Sequence, residues 1–160
     1  MTNNEDLETI DGIIKKTRFA TVTTRTKDGD LVSRPLAVLE KDFDGTVWFF
    51  TADPSPKADD VHNDPHVNIA YVDGASVVSL SGMATIEHDR ARIDQWWNPW
   101  AESWFPEGKD DPSVALLKVE ATSAEYWHID KPGVVRAVEV VKALITKTAP
   151  DVGDNKTVEL

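Results

Sequence analysis

Three Asp-Gly pairs set between β-branched and aromatic runs constrain this chain more than any other feature: Asp28-Gly29, Asp44-Gly45 and Asp73-Gly74. Asp-Gly supplies the positive φ angles that tight hairpin turns need, and a strand interior rejects it. Each pair separates runs rich in β-branched and aromatic residues. The runs are FATVTTR (Phe19–Arg25), LVSRPLAVLE (Leu31–Glu40), TVWFFT (Thr46–Thr51), HVNIAYV (His66–Val72) and ASVVSLSGMATIEH (Ala75–His88). A sixth run, Val114–Ile129, bends near Thr122-Ser123. This order predicts a mainly β antiparallel meander with peripheral helices. A small antiparallel sheet usually closes on itself, because open edges aggregate. Pro35 removes one ladder donor and marks an edge or bulge, which predicts a six-stranded antiparallel barrel that is split.

Helical spacing appears at both ends. Leu7, Ile10, Ile13 and Ile14 share one face of a helix over 5–16, which Gly12 weakens without excluding. Val138, Val141, Leu144 and Ile145 predict a second helix over 134–147. The stretch Asp89–Phe105 is helical in character but contains Pro99; an unbroken helix there would align Trp96, Trp100 and Trp104 on one face. The tail is expected to end in a short docked strand. No internal repeat or linker divides the 160 residues, so one domain over 1–160 is expected.

Charge narrows the function classes. The formal net charge is −11, from 28 acidic and 17 basic residues, and phosphate backbones would be repelled by it. An anionic ligand must therefore be held by a few local cations. There is no cysteine, which excludes thiolate and disulfide chemistry. The first ten residues, MTNNEDLETI, are polar and acidic and do not resemble a secretory leader, so a cytoplasmic location is expected. His62 and His66 are separated by Asn63-Asp64-Pro65, which argues against a helical two-histidine metal site. Glycine-rich dinucleotide, phosphate-loop and nucleophile-elbow motifs are all missing.

Four features could carry chemistry. Arg34, midway along a β-run, faces either solvent or a planar anionic or carbonyl-rich ligand. Ser55, Pro56 and Lys57 form an N-cap, a first-turn proline and a first-turn lysine after the strand ending at Thr51. That arrangement is either an ordinary capped surface helix or a phosphate cradle. Ser79 and Ser81 share a strand face, a polar outward surface in the simpler reading, and Gly82 permits a bulge or a close backbone approach. The tryptophans of 96–104 suit a core or subunit interface as well as a cofactor contact.

The ordered set resembles the general stress protein 26 branch of the pyridoxamine 5'-phosphate oxidase-like superfamily. The set runs Ser33-Arg34-Pro35, Trp48-Phe49-Phe50-Thr51, Ser55-Pro56-Lys57, Val78-Ser79-Leu80-Ser81-Gly82, Trp96-Trp97-Asn98-Pro99, Trp104-Phe105-Pro106-Glu107-Gly108 and Ala124-Glu125-Tyr126-Trp127. The resemblance implies a split barrel that dimerises and holds FMN, or FAD through its FMN half, between subunits. It implies that Arg34, Pro35 and Leu36 line the flavin, with Phe50 beside them. Thr51, Ser55 and Lys57 would face the phosphate tail, Ser79 and Trp104 would lie nearby, and Trp127 would approach from the partner subunit. The chain departs from the true oxidases at its C-terminal end. Their Arg-x-His-x-Arg-like set is replaced by VVRAVEVVK, where Arg136 stands alone, so oxidation of pyridoxamine phosphate is not expected. Glu107, Asp110 and Asp111 would further disfavour an anionic substrate if their loop borders the pocket. The expected function is flavin binding, with flavin-dependent redox chemistry linked to stress. The alternatives are a non-catalytic flavin sensor or store, and a split barrel for another planar ligand such as haem or a deazaflavin.

Overall fold

The computed structural model describes residues 3–129, 133–147 and 153–160. The chain begins with α1 (Asn4–Lys16), capped by the Asn3 side chain, which accepts from the Glu5 amide. Glu5 and Asp6 lie in the first turn and Lys15 and Lys16 in the last, each complementing the helix dipole. Ile10, Ile13 and Ile14 are buried, as their spacing requires.

Among the described residues seven strands follow in one sheet: β1 (Phe19–Arg25), β2 (Leu31–Ala37), β3 (Thr46–Ala52), β4 (His66–Asp73), β5 (Ser76–Glu87), β6 (Val114–His128) and β7 (Asp154–Glu159). Their order is β2-β1-β4-β5-β6-β3, with β7 added on β6. The expected count of six is exceeded by the tail strand. β6 makes room for it through its length: its first half pairs with β3, its second half with β7, and its other edge with β5 throughout. Every ladder is antiparallel.

The sheet curls without closing. β2 and β3 lie near each other yet share no ladder, so a seam runs between them. Pro35 sits in β2, the end strand, where its missing N–H costs no ladder bond. The β5–β6 register slips between Ser81 and Gly82. A Cβ on Gly82 would lie 2.4 Å from the Glu120 carbonyl oxygen, so only glycine fits this bulge.

One core fills the barrel, with Ile10, Val22, Phe49, Ile69, Tyr71, Leu80 and Leu117 among its most buried members. α1 is tied to the barrel through buried Asp6, which accepts from the Tyr126 hydroxyl at 2.9 Å and from Lys156 Nζ at 2.6 Å. A smaller outer cluster joins Ile93, Val114 and Leu116 to Trp48, Phe50, Trp96, Trp97 and Phe105.

The helical stretch is divided, as Pro99 allows: α3 is Arg90–Trp96 and α4 is Pro99–Trp104. The single Trp96–Trp100–Trp104 stripe therefore does not exist. Trp96 packs edge-on against Trp48 at 5.3 Å, while Trp100 and Trp104 belong to the second helix. α2 (Pro56–Asn63) follows β3, and α5 (Gly133–Thr146) joins β6 to β7. Among the described residues no helix is long and apolar enough to cross a membrane.

Candidate functional site

The seam between β2 and β3 opens into a cleft of about 390 Å³. Such a volume suits a small-molecule or cofactor site. One wall is β2 and the turn beyond it, from Arg34 to Leu39; another is Phe50, Thr51 and Ala52 of β3. α4 covers the third side with Trp100, Ala101 and Trp104, and Phe19 and Phe105 complete the aromatic lining. The cleft therefore exists because two edge strands do not pair.

Among the described residues, Arg34 and Lys57 are the only charged side chains on the lining. Arg34 is held from behind. Its guanidinium donates to Thr24 Oγ1 at 2.6 Å and reaches Asp60 Oδ2 at 3.5 Å, while Thr24 donates to the same carboxylate oxygen at 2.7 Å. Thr24 is fully buried, so this chain of contacts fixes the guanidinium. Asp60 lies on α2, the helix that also carries Lys57.

Lys57 has no carboxylate within ion-pair distance among the described residues. Burial lowers its pKa to about 8, and the positive charge of Arg34 adds to the shift. The lysine sits in the first turn of α2, where amides lack intrahelical partners and the dipole favours an anion. Lys57 and the start of α2 thus share the cleft with Arg34, whose carboxylate partner Asp60 lies on α2, while Lys57 itself has none among the described residues. A phosphate would relieve this arrangement.

Among the expected contacts, Arg34, Pro35, Leu36, Phe50, Thr51, Lys57 and Trp104 line the one cleft together. Three do not. Ser55 is the N-cap of α2, accepting from the Ala58 amide at 3.2 Å and donating to the Ala52 carbonyl at 2.7 Å. Its hydroxyl is consumed in positioning Lys57. Ser79 lies on β5 and accepts from Asn68 Nδ2 at 2.8 Å. Trp127 lies on β6, between Val77 of β5 and Asn155 of β7. Neither reaches the cleft within one chain, because strand pairing carries them away from the β2–β3 seam.

Other lining residues escaped the sequence reading, notably Phe19, Val38, Leu39, Asn98 and Trp100. A signal for α4 was present. Asn98-Pro99 repeats the N-cap and first-turn proline of Ser55-Pro56, and Asn98 Oδ1 accepts from the Trp100 and Ala101 amides.

The sequence profile described as pyridoxamine 5'-phosphate oxidase like matches residues 5–151. The chain belongs to this family. Similar members include protein bli-3 of Neurospora crassa, 28% identical over 89% of this chain and 74% of that protein. General stress protein 26 of Bacillus subtilis is 32% identical over 47% of this chain and 56% of that protein. Among solved structures, a general stress protein 26 from Jannaschia sp. superposes with a TM-score of 0.79 at 26% identity, covering 99% of this chain and 100% of that one. A protein from Xanthomonas citri described as a general stress FMN/FAD binding protein gives 0.70 at 28% identity, covering 81% and 93%. These family neighbours carry the split-barrel fold, and the open β2–β3 seam is this chain's version of the split.

Proposed function

We propose that the chain is an FMN-binding protein, able to take FAD through its FMN half, and a flavin-dependent oxidoreductase linked to stress response. The observation that carries the reading is the Arg34–Lys57 pair at one part of an otherwise apolar, aromatic cleft. The residues fit the group. Lys57 and the first turn of α2 would hold the phosphate, Arg34 would meet a phosphate or carbonyl oxygen, and Phe19, Leu36, Phe50, Trp100 and Phe105 would enclose a planar ring. A bound flavin supplies hydride and electron transfer at its ring, while the protein supplies position and electrostatics.

The chain's own contribution is therefore binding, orientation and exclusion of water. Among the described residues no carboxylate or histidine lines the cleft; Lys57, with a pKa of about 8, is the lining side chain able to exchange a proton near neutral pH, and a bound phosphate would engage it. That same observation supports the second reading, a flavin sensor or store without turnover. Oxidation of a reduced nicotinamide with an electron acceptor favours the enzyme; tight binding without turnover favours the store. The absorption spectrum of the purified protein separates a flavin from haem or a deazaflavin.

The sequence VVRAVEVVK lacks the Arg-x-His-x-Arg-like set of the true oxidases. The expected helix is present as α5, not the strand those enzymes use; Lys131 and the Arg136 side chain lie outside the described residues. The family resemblance also supports a homodimer that carries the flavin at its interface, where Trp127 of one subunit would approach the other's cleft, and a cytoplasmic location.

Calorimetric titration of FMN and FAD into ligand-free protein tests the proposal. Dissociation constants in the micromolar range or below are expected, on the order of −8 kcal/mol or stronger. No binding of either flavin would overturn it.

A further inference from the structure

A second hollow lies against the cleft. A groove of about 370 Å³ shares Phe19, Val38 and Trp100 with it as a common wall. The groove carries three cations, Lys15, Lys16 and Arg18, against one carboxylate, Glu40. Acidic residues outnumber basic ones 28 to 17 in the whole chain, whereas on this groove's described lining the cations outnumber the carboxylate.

The three cations are not equivalent. Lys15 is committed to Asp11 at 2.7 Å and Asp42 at 2.5 Å, and those bonds raise its pKa to about 12. Lys16 and Arg18 have no carboxylate within ion-pair distance among the described residues. Arg18 lies over the Trp100 ring, 4.2 Å from its centroid, and Phe19 meets the same ring edge-on at 5.8 Å. A guanidinium stacked on an aromatic face is held in place while its in-plane N–H donors stay available to an anion. The loop acids that were expected to repel such an anion are elsewhere: Glu107, Asp110 and Asp111 line neither hollow.

This basic set is separate from the Arg34–Lys57 pair. One sits where α1 meets β1, the other on β2 and α2, and the Phe19–Trp100 wall stands beside the first. We propose that the groove is a second anion subsite, for the phosphate or pyrophosphate of a ligand whose uncharged planar end shares the cleft with the flavin. The proposal rests on the flavin reading for what occupies the cleft, but not for the anion. It makes the redox partner of this protein a phosphorylated molecule, recognised by Arg18 and Lys16.

Inorganic pyrophosphate is the probe. In FMN-loaded protein the Lys57 site is filled, so a titration followed by calorimetry and by the Trp100 indole N–H resonance reads the groove alone. Binding at about 1 mM or tighter is expected, weakened about tenfold by Arg18→Gln, with FMN affinity within about twofold of the parent protein. An unperturbed Trp100 signal, or equal pyrophosphate binding by Arg18→Gln, overturns the proposal. Loss of FMN affinity in Arg18→Gln also overturns it, since the groove would then be part of the first site. Should FMN not bind at all, the same titration of flavin-free Lys57→Ala still reads the groove, so the two proposals fail separately.

Discussion

Lys57 is the residue on which the site turns. It is a cation forced toward neutrality by burial and by Arg34, with a pKa near 8. A phosphate beside it favours the charged form and raises that pKa. Binding below pH 8 then needs no proton, whereas binding above pH 8 must bring one in. The affinity for FMN is expected to hold level from pH 7 to about 8 and to fall above it, by up to about tenfold per pH unit. Riboflavin, which lacks the phosphate, should show no such fall between pH 7 and 9; parallel curves for both flavins would remove Lys57 from the phosphate site. The stability of the ligand-free protein moves the other way. The unfolded lysine titrates near 10.5 and the folded one near 8, so the unfolded chain binds more protons between those values. Stability therefore rises with pH in that window. Lys57→Ala should weaken FMN roughly ten- to hundredfold, about 1.5–3 kcal/mol, and leave riboflavin nearly unchanged. Lys57 was legible in the sequence because the Ser-Pro-Lys order places a cation where a helix dipole opposes it. The Thr24–Asp60 support of Arg34 was not, because it joins β1 to α2 across 36 residues.

At the level of elements, local chemistry decided more than long-range pairing could reveal. The Asp28-Gly29 and Asp73-Gly74 hairpins, the Pro35 edge strand and the Gly82 bulge follow from what single residues permit in a backbone, whereas Asp44-Gly45 joins β2 to β3, which do not pair, so the expected meander breaks there. Pro99 likewise set the break between α3 and α4. What spacing could not show was β6 pairing with three partners, nor which strands would be left without one. The seam, and with it the cleft, is a property of sheet order, and so Ser79 was grouped with residues that the ladders hold apart, while Trp127 was expected only from the partner subunit. Gly82 gives the sharpest test of the element scale. Gly82→Ala must displace the β6 backbone at Glu120 and should cost about 1–3 kcal/mol in chemical denaturation, without an altered ratio of FMN to riboflavin affinity. A stability change within about 0.5 kcal/mol would mean that the strands part there at little cost.

On the scale of the whole molecule, two unbalanced features remain. The first is apolar surface. Trp104 is 72% exposed, and α5 presents Val141, Leu144 and Ile145 at 56–77% exposure. Side chains of this size on one chain suit burial against a second copy, and a homodimer is the proposed assembly. Light scattering at micromolar concentration should give twice the 17.7 kDa chain mass, and a monomer with flavin bound would contradict it. The second is charge. A chain of −11 repels a dianionic ligand at long range, so FMN should bind more weakly than riboflavin unless local cations reverse the field inside the cleft. The deciding measurement is therefore the affinity of the unmodified protein for FMN and for riboflavin at pH 7, under one salt condition. FMN is expected to bind at least about tenfold tighter. Equal affinities, or a preference for riboflavin, would contradict a phosphate site at Arg34 and Lys57.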